Sequence, residues 1–365
     1  MVILNDIIRE LEKFAPLPYQ ESYDNCGLLT GNKDLKVTGA ILCLDCIESV
    51  VDEAIAKKCN LIIAHHPIIF GGLKKLNGTN YVERTIIKAI RNNIAIYACH
   101  TNLDNVKQGV NKKIADKLGL INQRILAPKK SLLKKLVTFV PATHLETLRT
   151  ALFNVGAGNI GNYDSCSFTL EGTGSFRGNE NAHPVIGEKG KLSLEKETRL
   201  ELIFEGIHQS GIVSALMANH PYEEVAYDIY QLENSYQDIG SGMTGELEKP
   251  VSETEFLALL KSLFNVKFLK HTALLNRPIK KVALCGGSGS FLLKNAINSK
   301  SDIYISSDFK YHEFFDSEHR IVVADIGHYE TEQFTPEIFY EIISNKFPTF
   351  ATYLTEINTN PVNYF

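Results

Sequence analysis

The sequence lacks the features that would place a protein in a membrane or outside the cell. Its 365 residues contain no apolar run of the roughly 18 residues that a membrane-spanning helix needs. The opening segment, MVILNDIIRELEKF, has no basic start followed by an apolar core, and it predicts an amphipathic helix rather than a secretory signal. The seven cysteines are odd in number and scattered, which argues against a disulfide framework. We therefore expect a cytoplasmic protein with no membrane partner.

An excess of positive charge is also missing. The chain has 38 lysine and arginine residues against 42 aspartate and glutamate residues, for a net charge of −4. Proteins dedicated to binding nucleic acid usually carry a basic patch and a high isoelectric point, so the composition argues against nucleic acid as a partner. It does not argue against a small anionic substrate, because a bound metal ion can reverse the local charge.

Two motifs lack the residues that would complete them. Cys43 and Cys46 form a C-x-x-C pair with no second pair to make a structural zinc site, so we favour two small buried side chains over a redox or metal role. The segment Gly286–Ser290 lies between an apolar strand and a predicted helix, an order that can hold an anion on backbone N–H groups. It lacks the lysine of a P-loop and the spacing of a dinucleotide motif. A phosphate cradle and a tight packing turn both stay open.

The chain does contain an internal repeat that carries histidines and carboxylates. Residues 40–70 and 281–314 each predict an apolar strand, a turn of small residues, a helix-length segment and a second apolar strand. In this alignment His66 lies opposite Asp308. A later apolar strand in each half ends in a histidine, followed four residues on by a carboxylate. These pairs are His100 with Asp104 and His328 with Glu332.

The repeat is split by a segment with a different pattern. Residues 1–128 alternate buried strands with helices, which predicts an α/β sheet covered on both faces. Residues 129–248 have the order β-α-β-β-α-β of a ferredoxin-like sandwich. The first pattern resumes over residues 249–365. The predicted fold is therefore an α/β core of two related halves, interrupted by an inserted ferredoxin-like α+β domain.

A pair of metal ions explains the placement of the histidines and carboxylates. His65-His66-Pro67 follows an apolar strand, and the carboxyl ends of strands are where α/β sheets place their sites. Successive side chains on a strand diverge, so adjacent histidines suit two ions better than one. Asp104 and Glu332 each share a helical face with the histidine four residues before them. Three histidines and two carboxylates suit two first-row divalent ions. The alternative is a satisfied polar core.

Several motifs in fixed order resemble one family along nearly the whole chain. The chain resembles the GTP cyclohydrolase 1 type 2 family, also called the NGG-interacting-factor-three-like or dinuclear metal centre family. Its long bacterial members carry an insertion similar to CutA or PII proteins. The matching motifs are Asp24–Leu28, His65–Pro67, His100–Asp104, Gly327–Glu332 and, in the insertion, Gly156–Tyr163 and His220–Glu224.

The resemblance implies a site and an assembly. The family's metal ligands fall on five residues here, which are His65, His66, Asp104, His328 and Glu332. They would hold two divalent ions per chain, of zinc, manganese, iron or cobalt. His100 is not needed as a ligand and is the candidate catalytic acid or base. The resemblance also implies a homohexamer. One departure is Ser306-Ser307-Asp308, where the family has T-G-D/E.

Two functions remain open on the sequence. The first is a metal-dependent hydrolase that acts on a purine nucleotide such as GTP, opening the imidazole ring and releasing formate. The second is a metal-binding regulatory or scaffold oligomer without robust enzymatic activity, which the sensor-like insertion favours. Turnover of GTP to formate distinguishes them.

Overall fold

The computed structural model describes residues 2–364, in which strands and helices alternate. The strands are β1 (Gly27–Thr30), β2 (Ala40–Asp45), β3 (Leu61–His66), β4 (Ala95–Ala98), β5 (Ile121–Lys130), β6 (Leu133–Val140), β7 (Phe168–Phe176), β8 (Ser193–Glu205), β9 (Tyr227–Gln231), β10 (Ser235–Val251), β11 (Lys270–His271), β12 (Ile279–Ser288), β13 (Ile303–Ser307), β14 (Val322–Asp325) and β15 (Thr352–Leu354).

The helices cover the sheets and connect their strands. The α-helices are α1 (Leu4–Phe14), α2 (Glu48–Ala56), α3 (Tyr81–Arg91), α4 (Thr101–Asn105), α5 (Val110–Lys117), α6 (Leu145–Asn154), α7 (Gln209–Asn219), α8 (Glu253–Leu263), α9 (Leu293–Asn298), α10 (His328–Glu332) and α11 (Thr335–Lys346). Short 3₁₀ helices span Leu17–Tyr19, Ala142–His144, Gly206–His208, Ser290–Leu292 and Tyr311–Ser317. Within residues 2–364, no helix is both long and apolar enough to cross a membrane.

Two compact units divide the chain. One unit runs to Pro128 and resumes at Asp238, and the other is Lys129–Gln237. Residues 238–248, which the sequence analysis placed in the insertion, cluster with the first unit. The reason is that β10 pairs antiparallel with β12 from Met243 onward.

The first sheet has the strand order β1-β4-β3-β2-β15, with β2, β3 and β4 parallel at its centre. Their side chains are buried on both faces, which explains the continuous apolar runs in the sequence. On one face α2 and α3 complete an apolar cluster with these strands. Cys43 and Cys46 lie in that cluster with free thiols, so packing accounts for the C-x-x-C spacing.

The second sheet of this unit repeats the arrangement. Its order is β11-β14-β13-β12-β10-β5, with β12, β13 and β14 parallel. The chain passes from β12 through α9 to β13 and on to β14, as it passes from β2 through α2 to β3 and β4. The predicted mixed α/β class is confirmed. Parallel strands end at one edge of a sheet, so the histidines that follow them are brought close together.

The second unit has the chain order β6-α6-β7-β8-α7-β9. Its four strands form an antiparallel sheet in the order β7-β8-β6-β9. Leu148 and Leu152 from α6 and Leu216 from α7 pack against Leu202 and Phe204 of β8. This is the element order predicted for a ferredoxin-like sandwich. A closer likeness to CutA or PII proteins stays a prediction.

Candidate metal centre

All six predicted site residues lie at the ends of parallel strands, in the short helices that follow them, or in the connection between strand and helix. His65 and His66 end β3, His100 precedes α4, Asp104 lies in α4, and His328 and Glu332 begin and end α10. The first four come from the first half of the chain and the last two from the second half. Tertiary folding therefore brings together side chains that are far apart in sequence.

The Glu332 carboxylate lies between two groups of ligand atoms. Its Oε2 atom is 3.0 Å from Nε2 of His66 and 3.0 Å from Nε2 of His328. Its Oε1 atom is 3.8 Å from Nε2 of His65, which is itself 3.5 Å from Oδ1 of Asp104. The two oxygens of one carboxylate thus face different pairs of side chains.

Each histidine ring is oriented by an oxygen acceptor at its Nδ1 atom. The Nδ1 of His65 donates to the Cys99 carbonyl (2.9 Å), that of His66 to Asp45 Oδ1 (2.7 Å), that of His100 to Asp24 Oδ1 (2.9 Å), and that of His328 to Asp308 Oδ2 (2.6 Å). Such contacts fix the ring and leave Nε2 available, which is how metal-binding histidines are usually supported.

The pKa values of the adjacent residues His65 and His66 are shifted in opposite directions. Complete burial lowers the pKa of His65 to about 4, so the ring is neutral at pH 7. Burial also acts to lower the pKa of His66, but hydrogen bonds with Asp45 and Glu332 raise it to about 10. The neutral His65 ring is in the protonation state that a metal ligand requires, whereas a metal would have to displace a proton from His66.

The pKa values of the two carboxylates, Glu332 and Asp104, are also shifted in opposite directions. Burial would raise the pKa of Glu332, but hydrogen bonds from His328 and His66, both at 3.0 Å, hold it well below its usual value. Burial and the nearby Glu332 charge raise the pKa of Asp104. Burial acts to lower the pKa of His328, yet Glu332 and Asp308 raise it to about 9. Glu332 therefore stays charged beside the protonated rings of His66 and His328, whereas Asp104 is shifted toward its neutral form.

The residues present fit divalent metal ions. The Nε2 atom of His65 and the Oδ1 atom of Asp104 are buried and have no hydrogen-bond partner, which is costly unless another group meets them. The structure contains three sets of three candidate ligand residues, and within each set the ligand atoms lie within 4.8 Å of one another. Glu332 belongs to two of these sets. The sets are His65 with Asp104 and Glu332, His66 with His328 and Glu332, and His65 with His66 and His100. Imidazole nitrogens and carboxylate oxygens suit zinc, manganese, iron and cobalt.

Hydrogen bonds join the two halves of the core directly behind the ligands. Asn111 donates through Nδ2 to the carbonyl of Asp104 (3.0 Å) and accepts at Oδ1 from the backbone N–H of Gly286 (2.9 Å). The next N–H, that of Gly287, donates to Oγ1 of Thr331 (2.9 Å). The position of α10 and its ligands is thereby fixed relative to α4.

These contacts decide between the two interpretations of the segment Gly286–Ser290. The first two N–H groups of a possible anion cradle already have partners, and β12 continues to Ser288. Gly287 has a φ of +61°, and a Cβ atom there would collide with the Glu332 carboxylate and approach Nε2 of His328 to 3.2 Å. The segment is a packing element that gives room to the ligands, and the phosphate cradle is wrong.

Sequence reasoning missed the groups that orient the ligands. Asp24, Asp45 and Asp308 hold three histidine rings, and Asn111 joins the halves. Two signals were available. Asp24 lies in the D-N-x-G-L motif, and Asp308 occupies the position that His66 has in the repeat. Nothing in the sequence pointed to Asn111.

The departure at Ser306-Ser307-Asp308 lies against the site. The hydroxyls of Ser306 and Ser307 donate to the carbonyl of Gly287, at 3.0 and 2.5 Å. Asp308 adopts a left-handed conformation, with φ of +59°, and from there reaches His328. Ser307 therefore stands where the family pattern has glycine, and its hydroxyl, like that of Ser306, supports the neighbouring strand.

Comparisons with known proteins agree with one another. The family model of Duf34/NIF3 (NGG1p interacting factor 3) matches residues 2–361. A Bacillus subtilis protein named GTP cyclohydrolase 1 type 2 homolog is 37% identical, over 98% of this chain and 97% of its own. A Halalkalibacterium halodurans protein of the same name is 39% identical, over 84% of this chain and 82% of its own. The crystal structure of a Bacillus cereus protein related to NIF3 superposes with a TM-score of 0.85 at 36% identity, covering 100% of this chain and 99% of that one.

The packing of Gly287 on Glu332 generates a prediction about metal binding. Gly287→Ala should lower the metal content of the purified protein at least severalfold, because the new methyl group displaces the Glu332 carboxylate. Gly119→Ala is the matched control. Gly119 has a similar φ of +67°, but a Cβ atom there meets nothing within 4 Å. Both variants carry a backbone strain of about 1 kcal/mol. Elemental analysis with thermal unfolding separates the two effects, and equal metal content in both variants would contradict the prediction.

Proposed function

This chain belongs to the Duf34/NIF3 family, and from that premise we propose that it is a dinuclear metal-dependent hydrolase acting on a purine nucleotide. The observation that carries the proposal is the position of Glu332, whose two oxygens face two separate pairs of ligands. The curated relatives are named GTP cyclohydrolase 1 type 2 homologs, which makes GTP the first substrate to test.

The proposed ligand sets follow from the distances. His65, Asp104 and Oε1 of Glu332 would hold one ion, and His66, His328 and Oε2 of Glu332 the other. When bound, two such ions supply Lewis acidity that polarises the reacting bond and acidifies water. They would also offset the negative charge of the surrounding carboxylates, which otherwise disfavours an anionic nucleotide.

His100 is the proposed acid–base residue. Its Nδ1 is held by Asp24, which also accepts hydrogen bonds from the backbone N–H (3.0 Å) and the hydroxyl of Thr101. Burial would raise the pKa of Asp24, but these hydrogen bonds hold it below its usual value, so the carboxylate stays charged. A charged partner at Nδ1 supports an imidazole that takes up and releases a proton at Nε2. The Phe70 ring packs edge-on against His100 at 6.1 Å and limits its movement.

The acid–base role predicts a separation of activity from metal binding. His100→Gln should reduce formate release from GTP by roughly 100-fold or more, since general acid–base catalysis typically contributes 10²–10⁴. The metal content should stay at the wild-type level. If the variant loses metal, His100 is a ligand instead, as its proximity to His65 and His66 permits. Wild-type protein that holds metal yet releases no formate would support a regulatory or scaffold oligomer.

We also propose that the chain assembles into a closed homohexamer, with the insertion as a CutA- or PII-like unit. An exposed aromatic cluster on the first unit supports assembly. The side chains of Tyr311 and Phe315 are 74% and 63% exposed, and their rings lie 5.6 Å apart beside His312. Exposed aromatic patches of this kind are typical of protein interfaces.

The assembly proposal predicts a change of mass on substitution. Light scattering at micromolar concentration should show about six chains per particle for the wild type. Tyr311→Ser combined with Phe315→Ser should give a smaller particle, because the apolar contact is lost. A wild-type monomer would refute the assembly, and an unchanged mass in the double variant would show that the cluster is not the interface.

A further inference from the structure

A pocket of about 580 Å³ opens beside the metal centre, on the side of His66 and His328. Its walls are the segment 268–270 before and within β11, the ligand helix α10, and the chain from residue 360 to residue 364. Pockets of 300–1,000 Å³ are the usual size for small-molecule ligands.

Two aromatic rings form one side of the pocket. Phe268 is 61% exposed and Tyr364 is 38% exposed, although both are large apolar groups. Their ring centroids are 5.8 Å apart and the rings are inclined by 48°. Exposed rings in a concave site offer a flat surface on which a planar heterocycle can stack.

The polar wall of the pocket offers hydrogen-bond acceptors and no free ammonium or guanidinium group. Lys270 is the one lysine or arginine among the described lining residues, and its Nζ is bound to Asp325 at 2.7 Å. Asp325 also accepts from the N–H groups of Phe309 and Gly327, both at 3.2 Å. Phosphate groups would find no unpaired cation from lysine or arginine on this wall.

Glu330 is a buried carboxylate of this pocket that retains an open acceptor. Glu330 lies in α10 between the ligands His328 and Glu332 and is only 8% exposed. Its Oε1 accepts from Nδ2 of Asn360 at 3.1 Å, while Oε2 has no hydrogen-bond partner among residues 2–364. The pocket has three other carboxylates, and each has partners of its own. Asp45 accepts from His66 and from the Thr359 hydroxyl at 2.7 Å, Asp308 accepts from His328 at 2.6 Å, and Asp325 is held by Lys270. A ligand that donates hydrogen bonds to Glu330 would therefore complement this pocket.

We infer that this pocket binds the base of the nucleotide and that Glu330 selects guanine. The inference rests on the proposed function. Guanine presents two adjacent donors, N1–H and the 2-amino group, which match a carboxylate. Adenine presents an acceptor at N1, which a carboxylate repels. The five-membered ring lies on the opposite side of a purine from this edge. A guanine that meets Glu330 and stacks on Phe268 and Tyr364 can thus direct its imidazole ring to the metal ligands.

Binding measured separately from turnover tests the inference. Calorimetry on the metal-loaded, full-length His100→Gln variant, in which turnover is slowed, should show GTP bound about tenfold tighter than ITP, which lacks the 2-amino group, and tighter still than ATP. Glu330→Gln should remove the preference for GTP over ITP and leave the metal content unchanged. Glu341→Gln is the control, because that carboxylate pairs with Lys113 and does not line this pocket. Phe268→Ala should weaken all three nucleotides alike.

The outcomes separate the inference from the proposed function. Equal affinity for GTP, ITP and ATP, or a GTP preference that survives Glu330→Gln, would overturn it even if GTP is hydrolysed. A selective guanine site without formate release would support the inference and refute the hydrolase. If Glu330→Gln does not fold, the exposed Phe268→Ala variant decides, since unchanged nucleotide affinity there would show that the pocket is not the base site.

Discussion

The structure of the site depends on one buried carboxylate. Glu332 is almost completely removed from solvent, and burying a charge is costly unless it is paired. Three imidazoles surround it, and each of them is oriented from behind by an oxygen acceptor. The absence of a side chain at Gly287 leaves room for the carboxylate. This placement puts its two oxygens against different pairs of candidate metal ligands.

The repeated core explains how such a site can form. Each half supplies parallel strands whose ends carry histidines, and the first half contributes His65, His66 and Asp104 while the second contributes His328 and Glu332. Both of the proposed ligand sets that contain Glu332 need residues from the two halves. The Asn111 bridge and the Gly287–Thr331 hydrogen bond fix the relative position of the ligand helices. Preorganisation of this kind keeps ligands close together before an ion binds.

Much of this architecture was predictable because short stretches of sequence, each with a regular spacing of apolar or polar residues, determine it. Apolar runs at strand length predicted the parallel strands, and a carboxylate four residues after a histidine predicted a shared helical face, as found at His328 and Glu332. The central position of Glu332 was not predictable, since it depends on how two halves dock. The sequence left the role of Gly287 open between a phosphate cradle and a packing turn, because a glycine that serves a ligand and a glycine that makes room for a neighbour look the same in sequence. The hydrogen bond from the Thr359 hydroxyl to Asp45 joins residues more than 300 positions apart, and no local sequence pattern predicts it.

The metal stoichiometry of ligand variants tests whether Glu332 is shared between two ions. Elemental analysis of protein stripped of metal and then reloaded should find about two ions per chain in the wild type. His328→Gln and Asp104→Asn should each retain about one ion, because each removes a ligand of one set only. Glu332→Gln should lose both. A Glu332→Gln variant that keeps one full ion, or a wild type that binds only one, would contradict the account.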